Sequence, residues 1–163
     1  MSSLDLGVVG NGTYGALIDK WARIVWCCLP RFDGDPVFYS LLNGSGAEER
    51  DGARGYWGVE LEGAASTRQY YRHNTAILVT EVTDKDGNSI EIADFAPRFM
   101  QRERIFQPMT LVRRVRPLQG TPRIRIRMRP GFNYGAEAPS VTRGSNHIRY
   151  VHSGLALRLT TNA

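Results

Sequence analysis

The chain has 163 residues, of which 42% are hydrophobic and 23% charged, and its formal net charge is +5. This length suits one domain that buries roughly 70% of the surface of its unfolded chain, and the composition is globular rather than that of a disordered segment. No apolar run reaches the roughly 18 residues of a membrane-spanning helix, and the start MSSLDLG lacks the basic and apolar regions of a signal peptide. We therefore expect one soluble, cytoplasmic domain over residues 1–163, with no membrane partner.

Charge is distributed unevenly between the two halves of the chain. Up to Pro97 there are 8 basic and 14 acidic residues, a net charge of −6, whereas from Arg98 onward 13 arginines face 2 glutamates, a net charge of +11. Such asymmetry indicates either nucleic-acid binding by the second half or strands of opposite charge that pair with each other.

Three glycines near the start, Gly10, Gly12 and Gly15, follow an apolar run at the spacing of a dinucleotide-binding loop. That loop belongs to a fold in which strands alternate with helices, and the pattern beyond residue 55 contains no such alternation. The same letters describe a strand, an Asn-Gly turn and a returning strand. We therefore expect a β-hairpin here.

Two stretches in the first third of the chain have apolar residues at helical spacing. Asp35 and Pro36 are typical of a helix start, and apolar residues recur after them, which predicts a short helix over 35–42. Residues 16–25 fit either a helix or strands, and periodicity alone leaves both open. The acidic, glycine-rich segment at 43–55 predicts a loop.

Alternation of apolar and polar residues predicts strands along the rest of the chain. The clearest case is RIRIRMR at 123–129, where every second residue is an arginine. Asp86 and Gly87 lie between two alternating segments and predict a tight hairpin. Further strands are expected at 56–62, 67–72, 76–82, 89–95, 109–116, 147–151 and 155–159.

About ten short strands joined by turns predict an all-β fold, an antiparallel β-sandwich with at most one or two short helices. Its expected core comprises Ile24, Trp26, Ile77, Val79, Ile90, Ile92, Leu111, Ile124, Ile126, Leu157 and Leu159.

Residue types that carry catalysis or bind metals form no recognisable constellation in the sequence. Cys27 and Cys28 are adjacent and point to opposite faces of a strand, so we expect free, buried thiols. The histidines lack metal-ligand spacing, and no serine stands in a GxSxG context. Strand carboxylates such as Glu91 and Asp94 are expected on polar, exposed faces. We therefore predict no catalytic residue, no metal site and no cofactor in this chain.

The arginine-rich second half makes nucleic-acid binding an alternative function. Arginines along one strand face would contact phosphates and tyrosines would stack on bases, the candidates being Arg123, Arg125, Arg127, Arg129, Tyr70, Tyr71 and Tyr134. No recognised nucleic-acid-binding motif accompanies them, and a strand that faces acidic neighbours needs the same residues. We therefore expect no nucleic-acid partner.

The segment IVWCCLPRFDGDPVFYSLL at 24–42 resembles a stretch near the N-terminus of bacterial and archaeal glucoamylase-like and trehalase-like enzymes of glycoside hydrolase family 15. There it commonly reads I-D-W-L-C-L-P-R-F-D-S and precedes a short apolar helix. Other segments resemble family motifs in the same order, namely VVGNGTYGALI, RQYYRHNTAILVTEV, IEIADFAPR, LVRRVRPLQG and RPGFNYG. Val25 and Gly34 depart from the usual Asp and Ser, which affects the subfamily and the substrate rather than the membership.

This resemblance implies that the chain is the non-catalytic, supersandwich-like N-terminal domain of a hydrolase of carbohydrate metabolism. A catalytic (α/α)6 barrel is expected downstream and is absent from this chain, and two of its glutamates would serve as general acid and base in the inverting hydrolysis of α-glucosidic bonds. The implied partners are that catalytic domain and, in the full-length protein, an α-glucoside such as trehalose or a maltooligosaccharide. The isolated domain would be inactive, and its self-association is a further expectation.

The resemblance also singles out the loop at 30–35 as the edge of the domain interface and of the active site, with the candidates Pro30, Arg31, Phe32, Asp33 and Asp35. Alternatively, Arg31 and Asp33 only fix a turn locally. A second class of function is a free-standing carbohydrate-binding module, whose sugar-contacting aromatic residues would include Trp21, Trp57 and Tyr70.

Overall fold

Two stacked antiparallel β-sheets form the body of the chain in a computed structural model, which describes residues 5–43 and 53–162. The strands are β1 Gly7–Gly10, β2 Gly15–Ile18, β3 Ile24–Cys28, β4 Pro36–Phe38, β5 Tyr56–Leu61, β6 Ala64–Tyr71, β7 Leu78–Asp84, β8 Ser89–Phe95, β9 Phe99–Gln101, β10 Arg104–Phe106, β11 Val112–Gln119, β12 Ile124–Arg129, β13 Ser140–Arg143, β14 His147–His152 and β15 Leu155–Thr160. Short 3-10 turns lie at Ser40–Leu42 and Asn133–Gly135. The predicted all-β antiparallel sandwich is confirmed.

The first sheet has the strand order β1-β2-β3-β5-β12, with β4 paired to β3, and the second has the order β11-β8-β7-β6. β12 is an edge strand of the first sheet and β11 an edge strand of the second. Because these two strands follow each other in the chain, both edges lie on the same side of the sandwich. On the opposite side, the Tyr71 hydroxyl of β6 bonds the backbone of Val8 in β1 and joins the two remaining edges. A β9–β10 hairpin and a three-stranded sheet, β13-β14-β15, complete the fold.

The core lies between the two sheets, where apolar residues of both inner faces meet. Of the predicted core residues, Ile24, Val79, Ile90 and Ile92 are buried, and Trp26, Ile77, Leu111, Leu157 and Leu159 are half-buried. The prediction was wrong for Ile124 and Ile126, which are 41% and 40% exposed. Both belong to edge strand β12, and they line an open hollow of about 470 Å³ together with Val115 of β11 instead of packing in the core.

The predicted helix over 35–42 is wrong for its first half. Residues Pro36–Phe38 form β4, which pairs with β3, and only Ser40–Leu42 make a single 3-10 turn. The Tyr39 and Ser40 amides both donate to the Gly55 carbonyl, at 2.8 and 2.9 Å. These tertiary bonds hold the chain in a form that local spacing does not indicate.

Other local predictions have mixed outcomes. In the segment 16–25, for which helix and strand were both open, residues 16–18 lie in β2, residues 24 and 25 lie in β3, and residues 19–23 form the turn between these strands. The Asp86–Gly87 turn joins β7 and β8 as predicted. In the predicted loop at 43–55, residues 44–52 lie outside the described residues.

Pairing of oppositely charged strands accounts for the charge asymmetry of the sequence. In the first sheet Arg127 of β12 lies 3.3 Å from Glu60 of β5. In the second sheet β11 supplies arginines to Glu91 and Asp94 of β8. The basic second half of the chain therefore neutralises part of the acidic first half, as the strand-pairing interpretation predicted.

The expected exposure of Glu91 and Asp94 was wrong, since the two residues are only 4% and 0% exposed. They are three residues apart on β8 and therefore point to opposite faces of the sheet. Asp94 faces the core and Glu91 the outer surface, and each carboxylate is buried because arginines cover it.

The two cysteines are free and buried, as predicted. Burial, with the nearby Cys28 as a smaller cause, raises the pKa of the Cys27 thiol to about 12. Among the described residues, no helix is long and apolar enough to cross a bilayer, and no group of three or more His, Cys, Asp or Glu could hold a metal ion.

Candidate functional site at the loop end

Three connections lie together at one end of the sandwich, which we call the loop end. They are the β1–β2 turn at 10–15, the β3–β4 loop at 29–35 and the segment 97–110 that contains the β9–β10 hairpin. Antiparallel pairing of β1, β2 and β3 places the first two side by side, and hydrogen bonds from the turn reach the third. The loop end therefore contains all five residues predicted for the edge of the domain interface, namely Pro30, Arg31, Phe32, Asp33 and Asp35.

Arg31 and Asp33 form a bidentate ion pair at the tip of the β3–β4 loop. The Arg31 Nε donates to Asp33 Oδ1 at 2.8 Å and Nη2 donates to Oδ2 at 2.6 Å. The Gly34 amide closes the turn on the Arg31 carbonyl at 3.1 Å. The two charged side chains are 76% and 68% exposed. The pair both fixes the turn and presents a planar guanidinium–carboxylate surface to solvent, so its role at an active site stays a prediction.

Phe32 stands between these two residues and is 60% exposed. One edge of its ring lies over Gly15, so close that a Cβ on Gly15 would meet the ring at 3.0 Å. At the ends of the loop Pro30 and Asp35 are exposed. Asp35 also affects Cys28 at the end of β3. The pKa of the Cys28 thiol is raised mainly by burial and, to a smaller extent, by the negative charge of Asp35.

The β1–β2 turn acts as an anchor through the side chain of Asn11, which is only 3% exposed. Its amide nitrogen donates to the carbonyls of Pro97 at 3.1 Å and Pro108 at 2.8 Å, the two ends of the segment that carries the hairpin. The Asn11 carbonyl accepts a hydrogen bond from Gln107 Nε2 at 2.5 Å. Nearby, the Tyr14 hydroxyl donates to the Thr110 carbonyl at 2.6 Å. The base of the hairpin is therefore held by the turn.

The β9–β10 hairpin itself is exposed and apolar. Its strands pair Phe99 with Phe106 and Met100 with Ile105, and these side chains are 46–65% exposed. The Phe99 and Phe106 rings make an edge-to-face contact with centroids 5.3 Å apart. The predicted strands do not include this hairpin, although its sequence FM-QRER-IF carries a signal for one, two apolar pairs that flank a polar tetrapeptide.

The aromatic residues proposed to contact sugar lie on three different elements. Trp21, in the β2–β3 turn, is half-buried against the core. Trp57 on β5 is half-buried beneath the Arg113 guanidinium, 5.2 Å from the ring centroid. Tyr70 on β6 is 36% exposed and donates to Glu81 at 2.9 Å. The structure therefore does not bring these three residues into one platform, and sugar binding by any of them stays a prediction.

Glu91 organises a charged network on the outer face of the second sheet. Arg116 donates to both of its oxygens at 2.9 and 2.8 Å, and Arg114 donates at 3.0 Å. Arg72 lies 3.9 Å away. The pKa of Glu91 is held below its ordinary value of 4.5. The main cause is the hydrogen bonding from Arg116, and the bond from Arg114 makes a smaller contribution.

We expect Glu91→Gln to reduce the free energy of unfolding by about 1–3 kcal/mol at pH 7, because charge-assisted bonds to a buried carboxylate are lost. The folded-state pKa of Glu91 is depressed, so its contribution is complete above about pH 4.5 and is lost as the pH falls through the folded-state pKa. Urea unfolding of both proteins from pH 7 to pH 3 should therefore show the difference between them shrinking below about pH 4.5. A difference that does not depend on pH would contradict this assignment.

Comparison with known proteins gives the chain a family. The domain family described as "Trehalase-like, N-terminal" matches residues 4–161. Relatives include "Trehalase" of Thermoplasma volcanium, 28% identical over 83% of this chain and 20% of that protein. "Trehalase 1" of Sulfolobus acidocaldarius is 29% identical over 90% of this chain and 23% of that protein. "Trehalase" of Thermoplasma acidophilum is 31% identical over 74% of this chain and 19% of that protein.

The chain thus spans about a fifth of the length of these relatives. No solved structure matches it significantly. The match over nearly the whole chain confirms the resemblance that the sequence motifs indicated: the chain belongs to the family of trehalase-like N-terminal domains.

Proposed function

We propose that this chain is the non-catalytic N-terminal module of a longer, inverting α-glucoside hydrolase, in which it supports the catalytic domain and shapes the entrance of its active site. The observation that carries this proposal is that a trehalase-like N-terminal domain covers the chain, while the chain covers only about a fifth of the relatives named as trehalases.

The state of the buried carboxylates supports a non-catalytic role. Inverting glycosidases need a carboxylic acid and a carboxylate roughly 6.5–9.5 Å apart on the two sides of one bond. Among the described residues, the buried carboxylates are Glu91 and Asp94. They lie on opposite faces of one sheet and are both neutralised by arginines. A low pKa also makes Glu91 a poor proton donor to a leaving oxygen.

The loop end supports the second part of the proposal, the shaping of an active-site entrance. Arg31, Phe32 and Asp33 are exposed at the tip of a loop whose backbone is fixed by its own turn and by packing on Gly15. Such a tip presents donors, acceptors and a ring to a neighbouring domain without loss of its own conformation. The paired guanidinium and carboxylate suit the hydroxyl groups of a sugar or the polar edge of a catalytic domain.

Replacing Arg31 with alanine in the full-length protein is expected to lower kcat/KM for an α-glucoside by about 10- to 100-fold, because the edge of the active site loses its positioning contact. An exposed ion pair contributes at most about 1 kcal/mol, so Tm should fall by no more than about 4 °C. The matched control is Lys20→Ala, which removes an exposed cation from the β2–β3 turn at the opposite end.

Activity would be assayed on trehalose and on maltooligosaccharides, and the isolated chain would be tested beside the full-length protein. Equal losses of activity and of thermal stability would mean that Arg31 only fixes the loop. Hydrolysis by the isolated chain would contradict the non-catalytic assignment.

A further inference from the structure

The β9–β10 hairpin is the most exposed apolar element that the structure describes. The pairing of β9 with β10 alone gives no reason for this exposure. A two-stranded hairpin is marginally stable in water, and soluble proteins seldom expose contiguous apolar patches without a function. Met100 and Ile105 are 65% and 55% exposed, and Phe99 and Phe106 are 47% and 46% exposed. The hairpin is therefore a candidate contact surface.

The two faces of the hairpin are not equivalent. Phe99 lines a hollow together with Phe95 and Pro97, so the phenylalanine face borders the body of the domain. Met100 and Ile105 are cross-strand partners on the other face, which alternation directs away from the body. A partner would meet the Met100–Ile105 face and the tip of the hairpin first.

The hairpin is held in place before any partner arrives. Asn11 bonds both ends of the segment 97–110, and Gln107 returns a bond to the Asn11 carbonyl. The two-residue tip, Arg102–Glu103, has φ values of 48° and 62°, as a tight type I′ turn requires. A preorganised apolar element loses little conformational entropy on docking.

We propose that the Met100–Ile105 face of this hairpin docks into an apolar, acid-rimmed groove on the C-terminal part of the longer protein, an inference that rests on the proposed function. Residues 98–106 carry three arginines against Glu103, a net charge of +2, which an acidic rim complements. The chain covers only about a fifth of its relatives, so a large body of polypeptide is available to cover the hairpin. The hairpin also shares the loop end with Arg31, so one docking event would position both.

A second copy of this chain is a poorer match for the same surface. Its formal net charge is +5, so a second copy brings predominantly like charge to the arginines of the hairpin.

The test is thiol labelling of the full-length protein that carries Met100→Cys. Leu118→Cys is the matched control, since Leu118 is 44% exposed at the opposite end of the second sheet. The native thiols interfere little, because Cys27 and Cys28 are buried and their pKa values are raised. If the hairpin is docked, a maleimide should modify the thiol introduced by Met100→Cys at least about tenfold more slowly than the one introduced by Leu118→Cys. Peptide mass spectrometry at several protein concentrations measures both rates.

Equal labelling rates would overturn the docking proposal, and so would protection that disappears on dilution, since that behaviour indicates a second copy. Hydrogen exchange of amides 99–106 in the unsubstituted full-length protein is the independent measurement, and fast exchange there would also overturn the proposal. Hydrolysis of an α-glucoside is assayed on the same samples. If the protein hydrolyses the glucoside but the hairpin is unprotected, the proposed function stands and the docking proposal is wrong. If the hairpin is protected but no hydrolysis occurs, the docking proposal stands and the proposed function is wrong.

Discussion

Arg113→Met is expected to reduce the free energy of unfolding by about 3–5 kcal/mol, because it leaves a buried carboxylate without its partner. Asp94 is 0% exposed and the Arg113 side chain 3% exposed, and two parallel bonds of 2.7 and 2.9 Å join them. The remaining guanidinium donors reach the carbonyl of Trp57 in β5 of the first sheet, at 2.8 Å, and the carbonyl of Ala22 in the β2–β3 turn of that sheet. One side chain thus links the two sheets at the centre of the sandwich. A loss of this size is a large part of the total stability of about 5–15 kcal/mol that is usual for a domain.

The measurement is urea unfolding followed by tryptophan fluorescence, with Arg125→Met as the matched control because Arg125 is an exposed arginine of edge strand β12. The double variant Arg113→Met with Asp94→Leu separates the two effects. Replacing both partners with apolar residues removes the unpaired charge and should recover most of the loss. A single variant that loses less than about 1 kcal/mol, or a double variant less stable than the single one, would show that the pair does not link the sheets as described.

Asn11→Ala is expected to cost about 2–3 kcal/mol, because two carbonyls lose a buried donor and the turn loses the acceptor for the Thr13 amide. The effect should be concentrated in the segment that Asn11 anchors. Amide hydrogen exchange in residues 97–110 should accelerate by a larger factor than exchange in the core strands β7 and β8, since local opening becomes easier there.

Asn43→Ala is the control for this substitution, because its amide makes one exposed bond of 3.4 Å to the Arg54 carbonyl. It should change stability by less than about 0.5 kcal/mol. A uniform acceleration of exchange across the whole domain in Asn11→Ala would mean that the side chain supports the fold generally rather than the hairpin.

Both sites show why the sequence pattern could not identify the features with the largest effects. Asp94 and Arg113 each fit the polar positions of alternating strands, and alternation does not indicate which face will be covered by a second sheet. They are 19 residues apart and meet only when β8 pairs with β11. Asn11 is a typical turn residue, and its bonds to Pro97 and Pro108 span 86 and 97 positions along the chain.

The hairpin was missed for a local reason as well. Two-residue hairpin turns of this type favour glycine and asparagine, because both central residues need positive φ. Arg102 and Glu103 occupy these positions at a conformational cost. The residue types at the turn therefore do not predict the hairpin. The hydrogen bonds from Asn11 to both ends of the segment 97–110 hold it in place.

The sequence by itself determined most of the strands and the all-β class, since period-two alternation and the Asp-Gly turn at 86–87 are local properties. It showed that an acidic half is followed by a basic half, and the pairing of strands between these halves was one of two interpretations. It also carried the family motifs around Arg31 and Asp33, which the family match supports. Only the tertiary structure decided which carboxylates are buried, which strand edges stay open and which hairpin stays exposed. Burial is a property of the whole assembly of elements, because a side chain leaves water only when residues far away in the chain cover it.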